Sequence, residues 1–448
     1  MSQKSFSVVV NSKVKPFKKK IKVDSDKSIS IRSFLIGAIS QNITYIKNVL
    51  ESDDVLSAIK CLRKLGVKIN KITNKEYMIF GKGLGSLRSK KNTTLNFGNS
   101  GTLARLLIGI LTTTPNIQVN LRGDSSLNKR SMEKLIKLMS KFGGIFTPNK
   151  RINFPLKMVS SEMPVGINYE AGVSAQLKSA VILAGLNATG KTKITERSFS
   201  RNHTENILFK NKYAIKIYGK NRKIIEILGG KSLSSFKMNV PGDPSSAAFF
   251  VALTLLNQNS KLKISNVGLN PTRTGFYKLL KRHGAKIYFK NLKKENNEIR
   301  GDIHIISSKI KPIKATKEYY VNSTDEYPIL FVIAALTNGI SVFKGINDLA
   351  NKESNRIKEM QKILKQLNIK TIYKKDEIKI FGKTLINAEE KTISVPSLGD
   401  HRICMSSFIL SILTGAKTKI KNFETVNTSS PSFLKIVKLL GVSFEIQK

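Results

Sequence analysis

Short polar loops that lead directly into almost wholly apolar helices recur along this chain. The clearest runs from Phe97 to Leu111, where Gly98-Asn-Ser-Gly-Thr102 precedes a stretch of Leu, Ile and Ala. The glycines let the backbone approach a ligand, the Asn, Ser and Thr side chains offer capping oxygens, and the first helical turn presents unpaired N–H groups to an anion. Arg105 adds a positive charge one turn into the helix. Such a loop is equally typical of an ordinary capped core helix, so a single copy does not distinguish an anion-binding site from such a helix.

The same boundary occurs six times at a nearly constant spacing. The apolar stretches begin at Ser28, Ser100, Ser174, Ser245, Thr324 and His401, which lie 71 to 79 residues apart. A fixed period of this kind indicates an internal repeat. Because a helix that is apolar on all sides is buried, the sequence predicts six buried helices whose polar starts are available for binding.

Each repeat is also predicted to close with an amphipathic helix, a glycine or asparagine stop, and a strand. The stops are Leu65-Gly66, Phe142-Gly143, Leu228-Gly229, His283-Gly284, Leu367-Asn368 and Leu440-Gly441. Glycine and asparagine adopt the left-handed conformation that ends a helix. The pattern predicts an α/β (α+β) fold of six similar units, and 448 residues favour two domains of three units each.

Composition narrows the class of protein. The longest apolar runs fall short of the roughly 18 residues that cross a bilayer, and Met1–Val10 lacks a charged region followed by a hydrophobic core. Cys61 and Cys404 are too few for a disulfide framework or a cysteine metal site. We therefore expect a cytoplasmic protein that does not interact with a membrane.

The formal net charge of +47 is the footprint of a nucleic-acid-binding protein. Lysine is nevertheless spread through every repeat together with abundant isoleucine and asparagine. We interpret the charge as a compositional bias that suits anionic substrates, and a nucleic-acid role stays the alternative.

Lys27 opens the first predicted buried helix. Lys27, Ser28 and Arg32 fall within about one and a half turns, with Ser28 and Arg32 on one face at i and i+4. A lysine at a helix start is usually solvated, but this helix is predicted to be buried. We therefore expect the ammonium group to face a cleft.

Taken in order, the motifs of this chain resemble the enolpyruvyl-transferase family, and most closely its members that act on shikimate 3-phosphate. They are Lys27-Ser-x-x-x-Arg32, Gly98-Asn-Ser-Gly-Thr102, Gly123-Asp-Ser-Ser-Leu-x-x-Arg130, Ser174-Ala-Gln-Leu-Lys-Ser-Ala180, Ser200-Arg-Asn-His-Thr-Glu205, Val240-Pro-Gly-Asp-Pro-Ser-Ser-Ala-Ala248, Asp325-Glu-Tyr-Pro328, Lys352-Glu-Ser-Asn-Arg356 and Gly399-Asp-His-Arg402. The resemblance spans nearly the whole chain.

This resemblance implies two similar domains, each of three βαβαββ units with the helices inside, hinged so that an inter-domain cleft closes on substrate. The first domain would be residues 25–242, and the second would be residues 1–24 plus 243–448, with the N-terminal strand in the second. The implied reaction transfers the carboxyvinyl group of phosphoenolpyruvate to the 5-hydroxyl of shikimate 3-phosphate through a tetrahedral intermediate. It releases phosphate and belongs to aromatic amino-acid biosynthesis. No metal, cofactor or nucleic acid is implied, and we expect a monomer.

The resemblance also implies the site residues. The catalytic residues would be Asp325, Lys27 and Glu353, with Asp325 as the proton acceptor. Shikimate 3-phosphate would be bound by Lys27, Ser28, Arg32, Ser174, Ala175, Gln176, Arg201, Asp325 and Lys352. Phosphoenolpyruvate would be bound by Lys27, Gly101, Arg130, Gln176, Arg356 and Arg402, because guanidinium groups bind carboxylates and phosphates with two parallel hydrogen bonds. Without the resemblance, Asp325 would be interpreted as a helix cap.

Three positions depart from the family pattern. Ser131 replaces a frequent proline, Thr428-Ser-Ser-Pro431 lacks a lysine that some relatives carry, and Asn355 replaces the usual aspartate before Arg356. The last change leaves two accounts of that aspartate: it pairs with Arg356, or it caps the following helix. We favour capping, with Glu353 as the carboxylate that pairs with Arg356.

One alternative enzyme class stays open. The sister enzymes of the family transfer the same group to UDP-N-acetylglucosamine, and many of them carry a cysteine in a mobile loop of the first domain. Cys61 and Cys404 lie outside such a loop.

Overall fold

The computed structural model describes residues 5–148, 151–219, 223–384 and 388–448. The strands are β1 (Ser7–Val10), β2 (Lys18–Ile21), β3 (Ile43–Lys47), β4 (Lys68–Thr73), β5 (Glu76–Phe80), β6 (Thr94–Asn96), β7 (Gln118–Arg122), β8 (Ile145–Thr147), β9 (Leu156–Val159), β10 (Asn168–Ala171), β11 (Lys191–Glu196), β12 (Ile215–Tyr218), β13 (Lys223–Leu228), β14 (Lys237–Asn239), β15 (Lys261–Gly268), β16 (Lys286–Glu295), β17 (Glu298–Ile306), β18 (Lys314–Ala315), β19 (Gly339–Lys344), β20 (Thr371–Lys374), β21 (Glu377–Gly382), β22 (Thr392–Val395), β23 (Lys417–Ile420) and β24 (Glu445–Gln447).

The helices are α1 (Lys27–Ile39), α2 (Asp53–Lys64), α3 (Gly101–Thr112), α4 (Glu133–Lys141), α5 (Ala175–Gly185), α6 (His203–Leu208), α7 (Pro244–Leu256), α8 (Gly275–Arg282), α9 (Lys317–Ser323), α10 (Tyr327–Ala335), α11 (Arg356–Gln366), α12 (His401–Thr414) and α13 (Phe433–Leu439). Within the described ranges, none of these helices is long and apolar enough to cross a membrane.

These elements form six four-stranded sheets, as the repeat predicts. The second sheet shows the arrangement without interruption, in the order β6-β7-β9-β8. Strands β6 and β7 are parallel because α3 connects them, whereas β9 runs antiparallel to both β7 and β8. The predicted βαβαββ unit is therefore confirmed.

Three of the sheets are completed by strands from distant parts of the chain. In the first sheet, β14 pairs in parallel with β3, so that Met238 lies opposite Ile46. In the last sheet, β1 lies between β23 and β24, with Val8 opposite Ile420 and Ile446. Similarly, β2 pairs with β15. Both N-terminal strands therefore belong to sheets of the C-terminal half.

Contacts between Cα atoms divide the chain into two compact units. The first unit comprises Ser25–Val240 with Glu295–Glu298, and the second comprises the remaining described residues. Each unit has its own hydrophobic core and contains three of the sheets.

The helices predicted to be buried form the centres of these cores. Every residue of α10 is buried, and in α3 only Thr102 and Arg105 are not. Inside α3 the Thr112 hydroxyl is satisfied locally, since it donates to the Ile108 carbonyl at 2.8 Å. Each fully buried Leu, Ile or Phe contributes about 1.5–3 kcal/mol, which explains why this face of every repeat is apolar.

Five of the six predicted helix stops are confirmed. The residues Gly66, Gly143, Gly284, Asn368 and Gly441 all have positive φ directly after their helices. The prediction at Leu228-Gly229 is wrong, because Leu228 ends strand β13 and the second helix of that repeat, α6, already ends at Leu208. In β13 buried isoleucines alternate with more exposed residues, which is the period of a strand. A strand, rather than a helix, therefore precedes this glycine pair.

Candidate active site

In the first unit, α1 begins at Lys27, and the preceding Asp26 caps it by accepting a hydrogen bond from the Ile29 N–H at 2.8 Å. The Lys27 ammonium lies 2.9 Å from Asp54 Oδ2 and is 18% exposed. A cation at a helix N-terminus is opposed by the helix dipole, so the buried Asp54 carboxylate offsets that repulsion. An anionic substrate would do the same from the solvent side.

The glycine-rich loop before α3 is tied to Arg130 through Asn99. Asn99 Oδ1 accepts a hydrogen bond from Arg130 at 2.6 Å, and its amide donates to Asp124 Oδ2 at 2.8 Å. Ser100, rather than Asn99 or Thr102, caps the helix by accepting from the Leu103 N–H. The loop therefore fixes Arg130 against the start of α3.

A side chain at Gly101 would crowd two arginines. A Cβ atom at Gly101 would lie 2.7 Å from Arg105 Nη1 and 3.3 Å from Arg130 Nη1. Arg105 also donates to the Gly101 carbonyl at 2.9 Å. Two guanidinium groups and a helix N-terminus thus converge where an anion would be bound.

The start of α5 carries the next predicted group of residues. Ser174 caps this helix through the Leu177 N–H, with Ala175 and Gln176 in the first turn. Arg201 is half-buried just before α6. The structure places each of these predicted residues in the first unit.

Arg32 lies deeper in the first unit than the resemblance alone suggested. Its guanidinium group is 1% exposed and donates to the Ser28 carbonyl at 3.2 Å, to Ser179 Oγ at 3.1 Å and to Thr204 Oγ1 at 2.9 Å. Arg32 therefore joins α1 to α5 and α6 as well as contributing positive charge.

In the second unit, Arg356 is the centre of a buried carboxylate cluster. Its Nε and Nη2 atoms donate to the two oxygens of Asp400 at 2.9 and 3.2 Å, and Nη2 also donates to Glu353 at 2.6 Å. Burial alone would lower the pKa of Arg356, but Asp400 and Glu353 raise it well above its ordinary value. The guanidinium group is therefore charged at any physiological pH.

One donor of this guanidinium group remains available. Arg356 Nη1 is buried and has no hydrogen-bond partner in the described part of the chain, and Asp325 Oδ1 lies 3.8 Å away. Buried donors in proteins are almost always satisfied, so an unsatisfied charged donor calls for a ligand. A bound anion beside Asp325 would satisfy it.

Arg402 presents a second such group. It is 3% exposed, its guanidinium carbon lies 5.8 Å from the centre of the Phe249 ring, and its Nε and Nη1 atoms have no hydrogen-bond partner among the described residues. The aromatic face attracts the cation and holds it in place. Like Arg356, Arg402 is therefore a fixed donor available to an anion.

Asp325 is not a helix cap. It lies in the 3₁₀ turn Thr324–Glu326, and α10 begins at Tyr327 with Glu326 in the capping position. The interpretation of Asp325 as a cap is therefore wrong, because α9 and the turn continue the chain into α10. Its carboxylate is 25% exposed and is thus accessible to a substrate.

Lys352 pairs with Asp348, whose carboxylate also accepts from the Tyr320 hydroxyl at 2.9 Å. Burial and the Asp348 charge raise the pKa of Tyr320 well above its ordinary value, so the hydroxyl stays protonated and keeps donating. Asp348 is thereby held in position to orient Lys352.

The two accounts of Asn355 are decided by its contacts. Asn355 Oδ1 caps α11 by accepting from the Lys358 N–H at 3.1 Å, and Glu353 supplies a carboxylate to Arg356. The sequence analysis missed Asp400 as the main partner of Arg356 and Asp54 as the partner of Lys27. Asp400 stands within the Gly399-Asp-His-Arg402 motif, but its pairing with a residue 44 positions earlier left no signal in the sequence.

Asn355→Asp is expected to change kcat/KM for phosphoenolpyruvate by less than about tenfold, or roughly 1.4 kcal/mol. Asparagine and aspartate cap helices about equally well, and Asp400 and Glu353 already neutralise Arg356. Steady-state kinetics with a parallel melting curve would check this. A gain above tenfold at unchanged melting temperature would show that a carboxylate at position 355 serves Arg356 in addition to Asp400 and Glu353.

The family model described as EPSP synthase (3-phosphoshikimate 1-carboxyvinyltransferase) matches residues 11–437. The 3-phosphoshikimate 1-carboxyvinyltransferase of Petrotoga mobilis is 37% identical over 93% of this chain and 95% of its own length, and that of Bacillus subtilis is 36% identical over 96% and 98%.

Solved structures agree with this match. An EPSP synthase from Acinetobacter baumannii is 33% identical, covers 99% of this chain and 100% of its own, and superposes with a TM-score of 0.83. The enolpyruvyl transferase NikO from Streptomyces tendae, at 12% identity over 99% of each chain and a TM-score of 0.74, shares the fold. On the match across residues 11–437 and these relatives, the chain belongs to the EPSP synthase (3-phosphoshikimate 1-carboxyvinyltransferase) family.

Proposed function

We propose that this protein transfers the carboxyvinyl group of phosphoenolpyruvate to the 5-hydroxyl of shikimate 3-phosphate and releases phosphate. Besides family membership, one observation carries the proposal: Nη1 of the buried, charged Arg356 has no hydrogen-bond partner within the described ranges and lies 3.8 Å from the Asp325 carboxylate. That pair combines an anion-binding group with a proton acceptor, as the reaction requires.

Phosphoenolpyruvate carries a carboxylate and a phosphate, and fixed cations suit both. We assign it to Lys27, Gly101, Arg130 and Gln176 of the first unit and to Arg356 and Arg402 of the second. The crowding of Arg105 and Arg130 over Gly101 and the unsatisfied donors of the second unit support this assignment. Their charges would stabilise negative charge that develops in the transition state.

Shikimate 3-phosphate is assigned mainly to groups at helix starts of the first unit. These are Lys27, Ser28, Arg32, Ser174, Ala175, Gln176 and Arg201, with Asp325 and Lys352 from the second unit. The capped starts of α1 and α5 support the assignment, because backbone N–H groups at such positions bind phosphate.

The proposed chemistry follows from the proton balance. The 5-hydroxyl oxygen bonds to C2 of phosphoenolpyruvate, Asp325 accepts the hydroxyl proton, and the methylene carbon gains a proton from an acid. The family resemblance supplies Lys27 and Glu353 as the candidate acid–base groups for this carbon; Lys27 Nζ lies 2.9 Å from Asp54 Oδ2, and Glu353 accepts from Arg356 Nη2 at 2.6 Å. Loss of a proton from the new methyl group and cleavage of the C–O bond to phosphate then complete the transfer from the tetrahedral intermediate.

The same proposal covers organisation and location. Residues 25–242 and residues 1–24 plus 243–448 would be two domains of one monomer, which acts in the cytoplasm without metal, cofactor or nucleic acid.

The test measures phosphate release from phosphoenolpyruvate with shikimate 3-phosphate or UDP-N-acetylglucosamine as acceptor. Turnover is expected with shikimate 3-phosphate alone. Burial raises the pKa of Cys61 to about 12 and raises that of Cys404 above its ordinary value, so neither thiol resembles the reactive cysteine of many UDP-sugar enzymes. Comparable turnover with the UDP sugar, or no turnover with either acceptor, would overturn the proposal.

A further inference from the structure

We propose that a buried network of four charged side chains positions the groups of the first unit that bind shikimate 3-phosphate. Its members, here called the α5–α6 charge network, are Lys178, Glu196, Glu205 and Lys223. None of them belongs to the substrate-binding set assigned above, and the inference rests on that proposed function.

The network is electrically balanced, with two ammonium groups and two carboxylates, although Glu196 Oε2 and Glu205 Oε2 accept no hydrogen bond from the described residues. Lys178 Nζ lies 2.8 Å from Glu196 Oε1 and 2.8 Å from Glu205 Oε1, and all three side chains are buried. Lys223 Nζ lies 3.5 Å from Glu196 Oε2 and 3.2 Å from Glu205 Oε1 and is 18% exposed. Burial would raise the pKa of Glu205, but Lys178 and Lys223 lower it, so the carboxylate is ionised.

A network of this kind is not explained by stability alone. Lys178 is the fourth residue of α5, in a stretch from Leu177 to Gly185 that is buried throughout and mostly apolar. Desolvating two ion pairs is costly, and well-packed apolar residues at such positions often give equal or greater stability. A role in holding the surrounding backbone therefore deserves a direct test.

The network fixes the backbone directly before Arg201. The N–H and Oγ of Ser200 donate to Glu196 Oε1 at 3.1 and 2.8 Å, and the Ser200 carbonyl accepts from Lys178 Nζ at 3.4 Å. Ser200 is thus held at three points by two members of the network. Because Arg201 is the next residue, its position depends on these bonds.

The same packing reaches Arg32 and the start of α5. Ser179 and Thr204, which neighbour Lys178 and Glu205 in sequence, are joined by a 2.8 Å hydroxyl bond, and both accept from the Arg32 guanidinium group. The Lys178 N–H donates to the Ser174 carbonyl at 3.2 Å. Helix α1, helix α5 and helix α6, which follows Arg201, are therefore joined to one another directly beside this network.

The test begins with Lys178→Met, which keeps an unbranched side chain but removes the ammonium group. The Kd and KM for shikimate 3-phosphate are expected to rise about tenfold or more, because small displacements of binding groups weaken substrate interactions strongly. The KM for phosphoenolpyruvate and kcat are expected to stay within about threefold, because Arg356, Arg402 and Asp325 belong to the second unit, whereas the network belongs to the first.

A second variant separates positioning from charge balance. Lys178→Met combined with Glu205→Gln leaves Lys223 and Glu196 as a balanced pair, so its melting temperature is expected to recover relative to Lys178→Met. Its Kd for shikimate 3-phosphate is expected to stay elevated, because Lys178 no longer holds Ser200. Recovery of both quantities would overturn the inference.

Ile182→Ala is the matched control, because Ile182 is fully buried on the same helix and is not a member of the network. It is expected to lower the melting temperature without changing the ratio of the KM for shikimate 3-phosphate to the KM for phosphoenolpyruvate. An equal rise in the KM for shikimate 3-phosphate in this control, or an unchanged Kd in Lys178→Met, would refute the positioning role. Turnover of shikimate 3-phosphate by the unaltered protein is measured first, so a failure of the proposed function would be recognised separately.

Discussion

An Asp325→Asn variant is expected to lose about 10² or more in kcat and to bind shikimate 3-phosphate with little change in affinity. The amide keeps the shape of the side chain but cannot accept the hydroxyl proton. Helix α10 should be unaffected, because its capping position is Glu326 rather than Asp325. The measurements are kcat from phosphate release and Kd from equilibrium titration.

The same substitution makes a prediction for phosphoenolpyruvate. It removes a negative charge 3.8 Å from Arg356 Nη1, so the KM for this anion is expected to stay constant or to fall. Glu377→Gln is a suitable control, because it removes one carboxylate of the same unit at a strand pair with Lys344. A wild-type kcat in Asp325→Asn would exclude Asp325 as the proton acceptor.

An Asp400→Asn variant is expected to be destabilised by about 3 kcal/mol or more, the cost of breaking a buried ion pair. The new side chain can still cap α12 through the Arg402 N–H, because asparagine caps as well as aspartate. The asparagine side chain no longer offers two charged acceptors to Arg356. Its amide N–H₂ group instead lies beside another donor, either the Arg356 guanidinium group or the Ser354 hydroxyl. Chemical denaturation gives the free energy of unfolding directly.

Asp400→Asn is also expected to lower kcat/KM for phosphoenolpyruvate. With Asp400 neutral, Arg356 is held mainly by Glu353 and its Nη1 donor is no longer fixed, so kcat/KM for phosphoenolpyruvate should fall tenfold or more, or at least about 1.4 kcal/mol. The Kd for shikimate 3-phosphate should change little.

Asp302→Asn is the control for Asp400→Asn. The Asp302 carboxylate has three partners in the same unit: Lys263, the Asn266 N–H and Asn291. Burial opposes its ionisation, but these partners lower its pKa to about 2. Its removal should reduce stability and leave the KM for phosphoenolpyruvate unchanged. Unchanged stability and KM in Asp400→Asn would show that Glu353 alone suffices for Arg356.

Local patterns in the sequence determined most of the fold. The six buried helices follow from runs such as Ala247–Leu256, because an apolar helix has no stable place outside a core. Stops such as Gly66 and Asn368 follow from their own backbone preferences. The stop assigned to Leu228-Gly229 was wrong because a glycine pair ends a strand as readily as a helix, and the short α6 gave no clear periodicity.

The sequence likewise identified the cations at helix starts, because polar residues before an apolar run are a local signal. Family resemblance then assigned their roles, which remain predictions. The prediction that Glu353 pairs with Arg356 is confirmed, but nothing in the sequence indicated Asp400 as its second partner.

Tertiary structure alone decided which distant groups meet. Asp400 reaches Arg356 across 44 residues, Asp54 meets Lys27 from the next helix, and Lys178 finds two glutamates on β11 and α6. In the sequence, Lys178 is one charged residue inside an apolar helix. Its burial becomes favourable only when opposite charges are brought to it by the packing of other elements, and no local pattern records that packing.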